Sequence, residues 1–498
     1  MPAPVYDQVR AFGSGNPDAE HLRIRVYPLQ RTAGALLLTV DFTPQDDAGA
    51  FGVDHFDIGN YPNIGDGVLR NVSLIDTEHL VRSGPLLHPG QNNTATYSSN
   101  IPSSYGQSKG VTYRIGGFFP DPGPSVNHLS VDLQLGGMVP DVPISADTRT
   151  APGLVTGPVG STPAPTPTTL RNDLVVWPIA APDATARVDR HSMYASVAGG
   201  TVNEGSGTAQ GLVTVNADVL FAFDSDALAP QGAGLISQAA TIISTKADPT
   251  RPVDVIGYTD AKGDDNYNQK LSERRAATVA RTLTAALGTK VTLRPLGRGA
   301  TRPVAPNTKS DGSDNPSGRA LNRRVEIWYS PRPPATVATT TTSTLTSTAT
   351  GGDVGSATSA RPTEPTVTLP EHSIKLRGET LSTTIRLYPV LRDGGLSLVT
   401  FDLTFAQGNH DIYDSMSATI RNSRDIGAVH LLDLATRRVY LPARDIDQPD
   451  RIMCTFSEAM NPGSPYQYSC YTAPLPTGTT SITIDLGILG TATVPVVG

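Results

Sequence analysis

The sequence predicts a multidomain protein in which a central two-layer α/β sandwich lies between two related all-β sandwich domains. Three observations support this fold class. The chain has 498 residues, which is too long for one hydrophobic core of ordinary size. Charged residues make up only 17% of it, whereas 47 Gly and 42 Pro favour short strands and many turns. Finally, one sequence pattern occurs at both ends of the chain and a different pattern occupies the middle.

The flanking β-sandwich domains are predicted from a repeat whose two copies are far apart. IRVYPL at residues 24–29 recurs as IRLYPV at residues 385–390, and the match continues without gaps through Asp41 and Asp402. Short β-branched stretches in both copies alternate in polarity with a period of two and are separated by Gly, Pro, Asn and Asp. This pattern is typical of half-buried antiparallel sheets. It therefore predicts two β-sandwiches.

Later segments of the two copies align in the same order. We align residues 72–76 with residues 429–433, and residues 129–133 with residues 481–485. The predicted domains are a β-sandwich at 1–144, a Pro/Thr/Gly-rich linker and lead-in at 145–194, the central domain at 195–331, a Thr/Ser-rich linker at 332–372 and the second β-sandwich at 373–498. Residues 145–169 and 331–370 are expected to be extended and solvated, because their composition offers little apolar surface to bury.

Cys454 and Cys470 are the only cysteines in the chain, and both fall in the second sandwich. They flank a turn-forming stretch, MNPG at residues 460–463. Two interpretations stay open at this point. The pair forms a disulfide across two strands in an oxidising compartment, or both residues are inert buried thiols.

The central domain has a different periodicity. Strands are predicted at 213–223, 253–258, 291–296 and 325–329, and helices at 230–246 and from 265 or 266 to 287. Asp265 or Asn266 is expected to cap the second helix, and Gly288 ends it. The resulting βαβαββ order implies a small two-layer α/β sandwich.

Two charges in this domain are candidates for a binding site. Arg275 falls on the apolar stripe of the second helix, where a guanidinium needs an anionic partner. Asp260 follows the preceding strand, at the end where α/β sheets collect ligands. Together they would recognise an amino-acid head group, with Arg275 bound to its carboxylate and Asp260 to its ammonium. Alternatively, the two residues pair with each other, or Asp260 is an ordinary loop carboxylate and Arg275 a solvated helix residue.

Five motifs in order and spacing resemble the OmpA-like C-terminal domain. They are FDSDAL at 223–228, GYTD at 257–260, YN at 267–268, LSERRA at 271–276 and NRRVEI at 322–327. Val-Pro at the end of each sandwich, together with VYLP at 439–442, also resembles OmpA-family proteins of actinobacteria.

This resemblance implies non-covalent binding of peptidoglycan. Members of the family, including MotB-type stator proteins and peptidoglycan-associated lipoproteins, bind the diaminopimelate-containing stem peptide. Carried over by position, Asp260 takes the ammonium and Arg275 the carboxylate of diaminopimelate, while Asn268, Leu271 and Arg324 line or support the pocket. Arg323 is interpreted either as a ligand contact or as a neighbour of Arg324 that faces solvent.

Other function classes receive little support from the sequence. The net charge is −7 and the basic residues are dispersed, which argues against nucleic acid as a partner. No stretch of 18 apolar residues predicts a membrane span. His55 with Asp54 and Asp57 is the one local cluster considered for a metal, and it is better interpreted as a turn between strands.

The sequence therefore predicts a tether without catalytic groups, cofactors or metal. Nucleophile elbows, phosphate-binding loops and zinc motifs are absent from the sequence. Besides peptidoglycan, envelope proteins are candidate partners of this tether through its sandwiches. The alternative is a wall-localised hydrolase or an adhesin in which the central domain only provides anchoring. An extracytoplasmic location in the cell envelope or wall is expected, although residues 1–6 lack the features of a secretion signal.

Overall fold

A computed structural model gives the architecture of the chain. It describes residues 2–12, 20–32, 34–46, 69–89, 96–99, 101, 107–134, 137–145, 153–155, 166–171, 173–195, 197–199, 202–206, 210–222, 224–288, 291–304, 307–308, 313–332, 362–376, 379–406, 429–436, 438–445, 452–455 and 463–498. The predicted strand-rich, multidomain architecture with several sheets is confirmed. Asp54, His55 and Asp57 lie outside the described residues.

The first β unit comprises the strands between residues 6 and 145. They are β1 (Tyr6–Phe12), β2 (Glu20–Val26), β3 (Leu29–Thr32), β4 (Ala35–Pro44), β5 (Ser73–Asp76), β6 (Val81–Ser83), β7 (Thr112–Pro120), β8 (His128–Asp132) and β9 (Met138–Ser145). Four short strands come next in the chain, β10 (Thr168–Arg171), β11 (Leu174–Val176), β12 (Arg190–Tyr194) and β13 (Val197–Gly199).

The central unit comprises the elements between residues 202 and 329. They are β14 (Val202–Ser206), β15 (Gly211–Asn216), α1 (Ala217–Leu220), α2 (Gly232–Lys246), β16 (Val253–Tyr258), α3 (Asp265–Leu287), β17 (Leu293–Gly297), α4 (Pro316–Asn322) and β18 (Arg324–Tyr329).

The second β unit comprises the strands between residues 367 and 497. They are β19 (Val367–Leu376), β20 (Glu379–Leu387), β21 (Val390–Asp393), β22 (Leu396–Phe405), β23 (His430–Asp433), β24 (Arg438–Tyr440), β25 (Arg444–Asp445), β26 (Cys454–Thr455), β27 (Tyr466–Thr472), β28 (Ser481–Asp485) and β29 (Thr491–Val497).

The two β units share one strand connectivity. In the first, β1, β2, β4 and β7 pair in that order, and β3, β9, β8, β5 and β6 form the continuation of the sheet. The second repeats this with β19, β20, β22 and β27, and with β21, β29, β28, β23 and β24. Even the parallel pair recurs, because β3 pairs with β9 as β21 does with β29. The repeat in the sequence thus corresponds to a repeat in topology.

Strand register corrects one part of the sequence alignment. Leu74 pairs with Val131, and the equivalent Leu431 pairs with Ile484. Val131 therefore matches Ile484, one residue away from the partner that our alignment of residues 129–133 gave it. The difference matters because neighbouring residues of a strand point to opposite faces of the sheet.

The repeated Tyr and Asp residues form the same buried hydrogen bond in each unit. The hydroxyl of Tyr27 donates to Asp41 Oδ2 at 2.7 Å, and that of Tyr388 donates to Asp402 Oδ2 at 2.9 Å. Burial, assisted by the neighbouring carboxylate, raises the pKa of each tyrosine to about 12. The repeated pattern is therefore explained by a shared polar contact inside each unit.

The segment predicted as linker and lead-in at 145–194 needs correction from residue 168 onward, because it packs with the first β unit. β11 pairs in parallel with β7, and β12 pairs antiparallel with β6. Trp177 is almost fully buried in the first unit. A composition average over this segment is dominated by Pro and Thr and conceals these apolar residues.

Two other predicted boundaries also change. β13, which falls within the predicted central domain at 195–331, pairs instead with β24 of the second unit. At the other linker, predicted at 332–372, β19 already begins at Val367, while residues 333–361 lie outside the described ranges.

The two β units pack directly against each other. The backbone N–H of Gly395 donates to the carbonyl of Thr77 at 2.9 Å. Arg82 of the first unit lies 3.2 Å from Asp445 of the second, and both side chains are buried. Ile75 also joins the hydrophobic core of the second unit. The flanking units consequently form one continuous body, although the central unit separates them in the sequence.

The central unit has a five-stranded sheet in the order β14, β15, β18, β16, β17. β15 ends at Asn216, earlier than the predicted 223, because the Asn216 side chain accepts from Asp218 N at 2.8 Å and caps α1. The apolar faces of α2 and α3 share a core with this sheet. Gly257 permits the close approach of α3, since a side chain there would collide with the backbone carbonyl of Ser272.

Cys454 and Cys470 are opposite each other on β26 and β27 and form a disulfide. The closed loop spans a sequence separation of 16 residues. Closing a loop of this length removes entropy from the unfolded chain that corresponds to about 3 kcal/mol. We expect the Cys454→Ser/Cys470→Ser double variant to lose about that much free energy of unfolding in a urea titration.

Reduction provides the matched control for this prediction. Dithiothreitol should lower the melting temperature of the wild type to that of the double variant and leave the variant unchanged, because the chain has no other cysteine. A melting temperature of the wild type that is insensitive to reduction would contradict a stabilising role for the bond.

Candidate functional site

Asp260 lies in the loop that follows β16, two residues beyond Tyr258, and only 8% of it is exposed. Its Oδ1 accepts a hydrogen bond from the backbone of Lys262 at 3.0 Å. Its Oδ2 accepts from Arg323 Nη1, and Arg319 Nε lies 3.4 Å from the same oxygen. The carboxylate is thus fixed in position by its own loop and by two cations.

Arg275 lies near the middle of α3 and is 6% exposed. Its Nε donates to the carbonyl of Ser225 at 2.9 Å, and its guanidinium lies 5.2 Å from the ring centroid of Phe221. Burial lowers the pKa of Arg275, while the charges of Asp218 and Asp224 oppose that shift. Within the described ranges, Arg275 has no carboxylate within ion-pair distance. A buried guanidinium in this state is suited to receive a carboxylate from a ligand.

Asp260 and Arg275 therefore do not pair with each other, which removes one of the alternatives left open by the sequence. Instead, Arg323 connects Asp260 with Asp218, an acidic residue close enough to act on Arg275. Its Nε and Nη2 each donate to Asp218 at 2.6 Å, and its Nη1 donates to Asp260. Asp218 in turn acts electrostatically on Arg275. One network of charges thus connects α1, the loop after β16 and α3.

Arg323 is the residue that sequence reasoning assigned least clearly. Its hydrogen bonds with Asp218, and then with Asp260, raise its pKa from the usual value. The partner Asp218 was not identified from the sequence, because nothing in the chain order connects residue 218 with residue 323. The signal in the sequence that could have indicated it is Asp218 itself, an acidic residue in the first turn of the short helix α1, which Asn216 caps. This helix start lies opposite the Asn-Arg-Arg motif at residues 322–324.

Asn268 and Leu271 are both buried on the first turns of α3. The Asn268 side chain donates to the carbonyl of Lys262 at 3.1 Å and so ties α3 to the loop that carries Asp260. Asp264 caps the helix by accepting from Tyr267 N at 3.0 Å, one residue earlier than the predicted cap. These contacts fix the loop relative to the helix.

Arg324 is buried at the start of β18, where its charge is already neutralised. Its Nε donates to Glu326 Oε1 at 2.7 Å, and its guanidinium lies 3.9 Å from the ring centroid of Tyr258. Two further bonds go to the carbonyls of Asn322 and Arg302. Arg324 consequently supports the strand beneath the loop of Asp260 rather than offering a free charge.

Tyr267 and Asp224 lie beside Arg275. The partly exposed Tyr267 donates its hydroxyl proton to Asp224 Oδ1 at 2.8 Å, and both groups act electrostatically on Arg275. Asp224 has a φ of 49°, in the left-handed region that few residues other than Gly adopt. Strained backbone of this kind concentrates at binding sites.

The charged side chains of this site are suited to recognise a charged ligand. Among the described residues, no group of His, Cys, Asp and Glu side chains is placed to hold a metal ion. In the described part of the chain, no helix is both long and apolar enough to span a bilayer.

Comparisons with known proteins confirm the family resemblance. The model of the OmpA family matches residues 220–315, which include Asp260, Asn268, Leu271 and Arg275. The chain is 41% identical over 110 residues to photosystem I P700 chlorophyll a apoprotein A2 of Gloeobacter violaceus, covering 22% of this chain and 12% of that protein. It is 38% identical over 115 residues to outer membrane protein A of Bordetella avium, covering 23% and 55%.

A solved structure described as the cell wall anchor of the T6SS from Pseudomonas aeruginosa is also similar. It has 31% sequence identity and a TM-score of 0.22, over 26% of this chain and 88% of that one. The chain spans 12% to 55% of the length of the two curated relatives.

Proposed function

Because residues 220–315 are a domain of the OmpA family, we propose that this domain binds peptidoglycan non-covalently and tethers the flanking β units to the cell wall. The observation that carries the proposal is the buried Arg275 guanidinium, which has no carboxylate partner within the described ranges. A ligand carboxylate would supply that partner. The proposal places the protein outside the cytoplasm, in the cell envelope.

We further propose diaminopimelate as the part of the stem peptide that is recognised. Arg275 binds the carboxylate of its free amino-acid end, and the lone pairs of Asp260 that remain available accept from its ammonium. Asn268, Leu271 and Arg324 hold the loop and the helix that present these two groups. The domain acts as an anchor without chemistry, and incubation with purified sacculi should release no fragments.

Asp260→Asn is expected to weaken binding of the full-length protein to purified sacculi. The substitution keeps the shape of the side chain and removes the negative charge that attracts an ammonium. We expect a loss of about 2 kcal/mol, roughly thirtyfold in affinity, measured by co-sedimentation over a range of sacculus concentrations.

Asp254→Asn is the matched control for this variant. Asp254 lies on β16 and pairs with Arg294 at 2.5 Å on an exposed part of the same domain. Its substitution should leave sedimentation unchanged. Equal binding by the Asp260→Asn variant and the wild type would remove Asp260 from the site.

A further inference from the structure

The first β unit contains a cavity of about 220 Å³ that is partly open to solvent. Its floor is formed by the apolar side chains of Leu74, Val126 and Leu129, all of which are buried in the core of this unit. Ser83 on β6 lines the same cavity. The cavity is separate from the charged residues of the central unit, so a ligand bound in it would be independent of the proposed function.

The rim of the cavity is polar and carries a cation. Arg190 lines it and is exposed, with one hydrogen bond from Nη2 to the carbonyl of Asp121 at 3.2 Å. His79 and Asp76 also line it, and the Asp76 carboxylate is engaged by His79, accepting from its backbone N–H at 2.9 Å and lying 2.8 Å from its Nδ1. An apolar floor with a few polar groups at the rim is the usual composition of a small-molecule site.

The second β unit shows which group fits this position. Leu74 faces Ser83 across β5 and β6, and the equivalent Leu431 faces Tyr440 across β23 and β24. Tyr440 therefore occupies the position of Ser83. A second pair of contacts supports this correspondence independently. Leu129 faces Val142 of the Val-Pro at the end of the first unit, and Ile482 faces Val494 of the Val-Pro at the end of the second.

Tyr440 fills its position in the second unit. It is 2% exposed and belongs to the same core cluster as Leu431 and Ile482. The second unit thus places a phenol ring at the position where the first has a serine hydroxymethyl group and a cavity. Arg190, which faces Ser83, has Val197 as its counterpart opposite Tyr440, so the cation at the rim is specific to the first unit.

We propose that this cavity binds a small aromatic molecule carrying an anionic group, with its ring on the floor formed by Leu74 and Leu129 and its charge at Arg190. A protein cavity of about 150 Å³ is large enough to bind benzene, so 220 Å³ accommodates a substituted ring. The anion gains a charge-assisted hydrogen bond at the rim while the ring leaves water.

Three probes that share a ring and differ in charge test this assignment on the full-length protein. We expect isothermal titration calorimetry to show the tightest binding for 4-hydroxyphenylacetate, weaker binding for neutral p-cresol and the weakest for cationic 4-hydroxybenzylamine. Arg190→Gln should abolish the preference for the anion and retain the binding of p-cresol. Absence of binding by all three probes at millimolar concentration overturns the proposal.

Ser83→Tyr closes the cavity with the side chain that the second unit itself uses. We expect this variant to bind 4-hydroxyphenylacetate at least tenfold more weakly and to melt at a higher temperature than the wild type. Ser108→Tyr places the same residue at an exposed position of the first unit and should change neither property.

Undiminished binding by folded Ser83→Tyr would also overturn the proposal. If that variant shows no cooperative melting, Val126→Phe fills the cavity from its floor, and the same two outcomes are expected of it: weaker binding of 4-hydroxyphenylacetate and a higher melting temperature.

Discussion

Arg275→Met is expected to weaken binding to peptidoglycan by roughly two orders of magnitude while leaving the protein about as stable as the wild type or more stable. The guanidinium is buried, its pKa is lowered by burial, and its hydrogen bond from Nε goes to a neutral carbonyl, that of Ser225. Methionine has a similar length and no charge to desolvate. The free energy of unfolding should therefore stay within about 1 kcal/mol of the wild type or rise above it.

The affinity for peptidoglycan, in contrast, should fall. A ligand carboxylate that loses its charged partner in a buried site loses about 3 kcal/mol, roughly two orders of magnitude in affinity. Co-sedimentation with sacculi and urea unfolding of the same preparation measure the two effects. Arg281→Met is the control, since Arg281 is an exposed arginine on α3 whose side chain donates to Thr278 at 2.9 Å. A variant at position 275 that unfolds more easily and binds normally would mark Arg275 as structural.

Asp445→Ala is expected to lower the free energy of unfolding by about 3–5 kcal/mol. Its side chain is 0% exposed and lies 3.2 Å from the guanidinium of Arg82, which is 3% exposed. His191 Nδ1 lies 3.5 Å from the same carboxylate. Removing the acid leaves a buried cation without its carboxylate at the contact between the two β units, which is far more costly than removing both charges.

The repeat supplies the compensating variant. Arg82 faces Ile75 across β5 and β6, and the equivalent pair in the second unit is Val439 with Leu432. The Arg82→Val/Asp445→Val double variant should therefore recover most of the stability lost in Asp445→Ala. Urea unfolding followed by circular dichroism measures all three proteins. A loss below about 1 kcal/mol in Asp445→Ala would mean that this ion pair does not hold the units together.

Local patterns in the sequence predicted the two long helices of the central unit, α2 and α3, but not the short helices α1 and α4. The predicted helix at 230–246 corresponds to Gly232–Lys246, and the second runs from Asp265 to Leu287 with Gly288 after it. Periodicity and end signals act within a few residues, so one sequence is enough to place them. The early end of β15 shows the limit of this reasoning, because the cap at Asn216 competes with an apolar run that alone favours a strand.

Contacts between distant segments could not be predicted from the sequence. The repeat predicted two related β regions, yet the hydrogen bond from Gly395 to Thr77 joins backbone groups, and side-chain patterns do not indicate which backbone groups pair. The same holds for the link from Asp218 through Arg323 to Asp260, whose partners are separated by 105 and 63 residues. Motif spacing indicated Asp260 and Arg275 as candidates, but it could not indicate which cation holds the first or that the second has no partner among the described residues.

Titration of the full-length protein with two stem peptides tests the recognition of peptidoglycan most directly. The peptides carry either diaminopimelate or lysine at the third position, and they differ by the single carboxylate that Arg275 is proposed to bind. We predict saturable binding of the diaminopimelate peptide, with an affinity about a hundredfold above that of the lysine peptide in the wild type, and no such difference in Arg275→Met. Equal affinity of the wild type for both peptides, or absence of binding to either, would contradict the account.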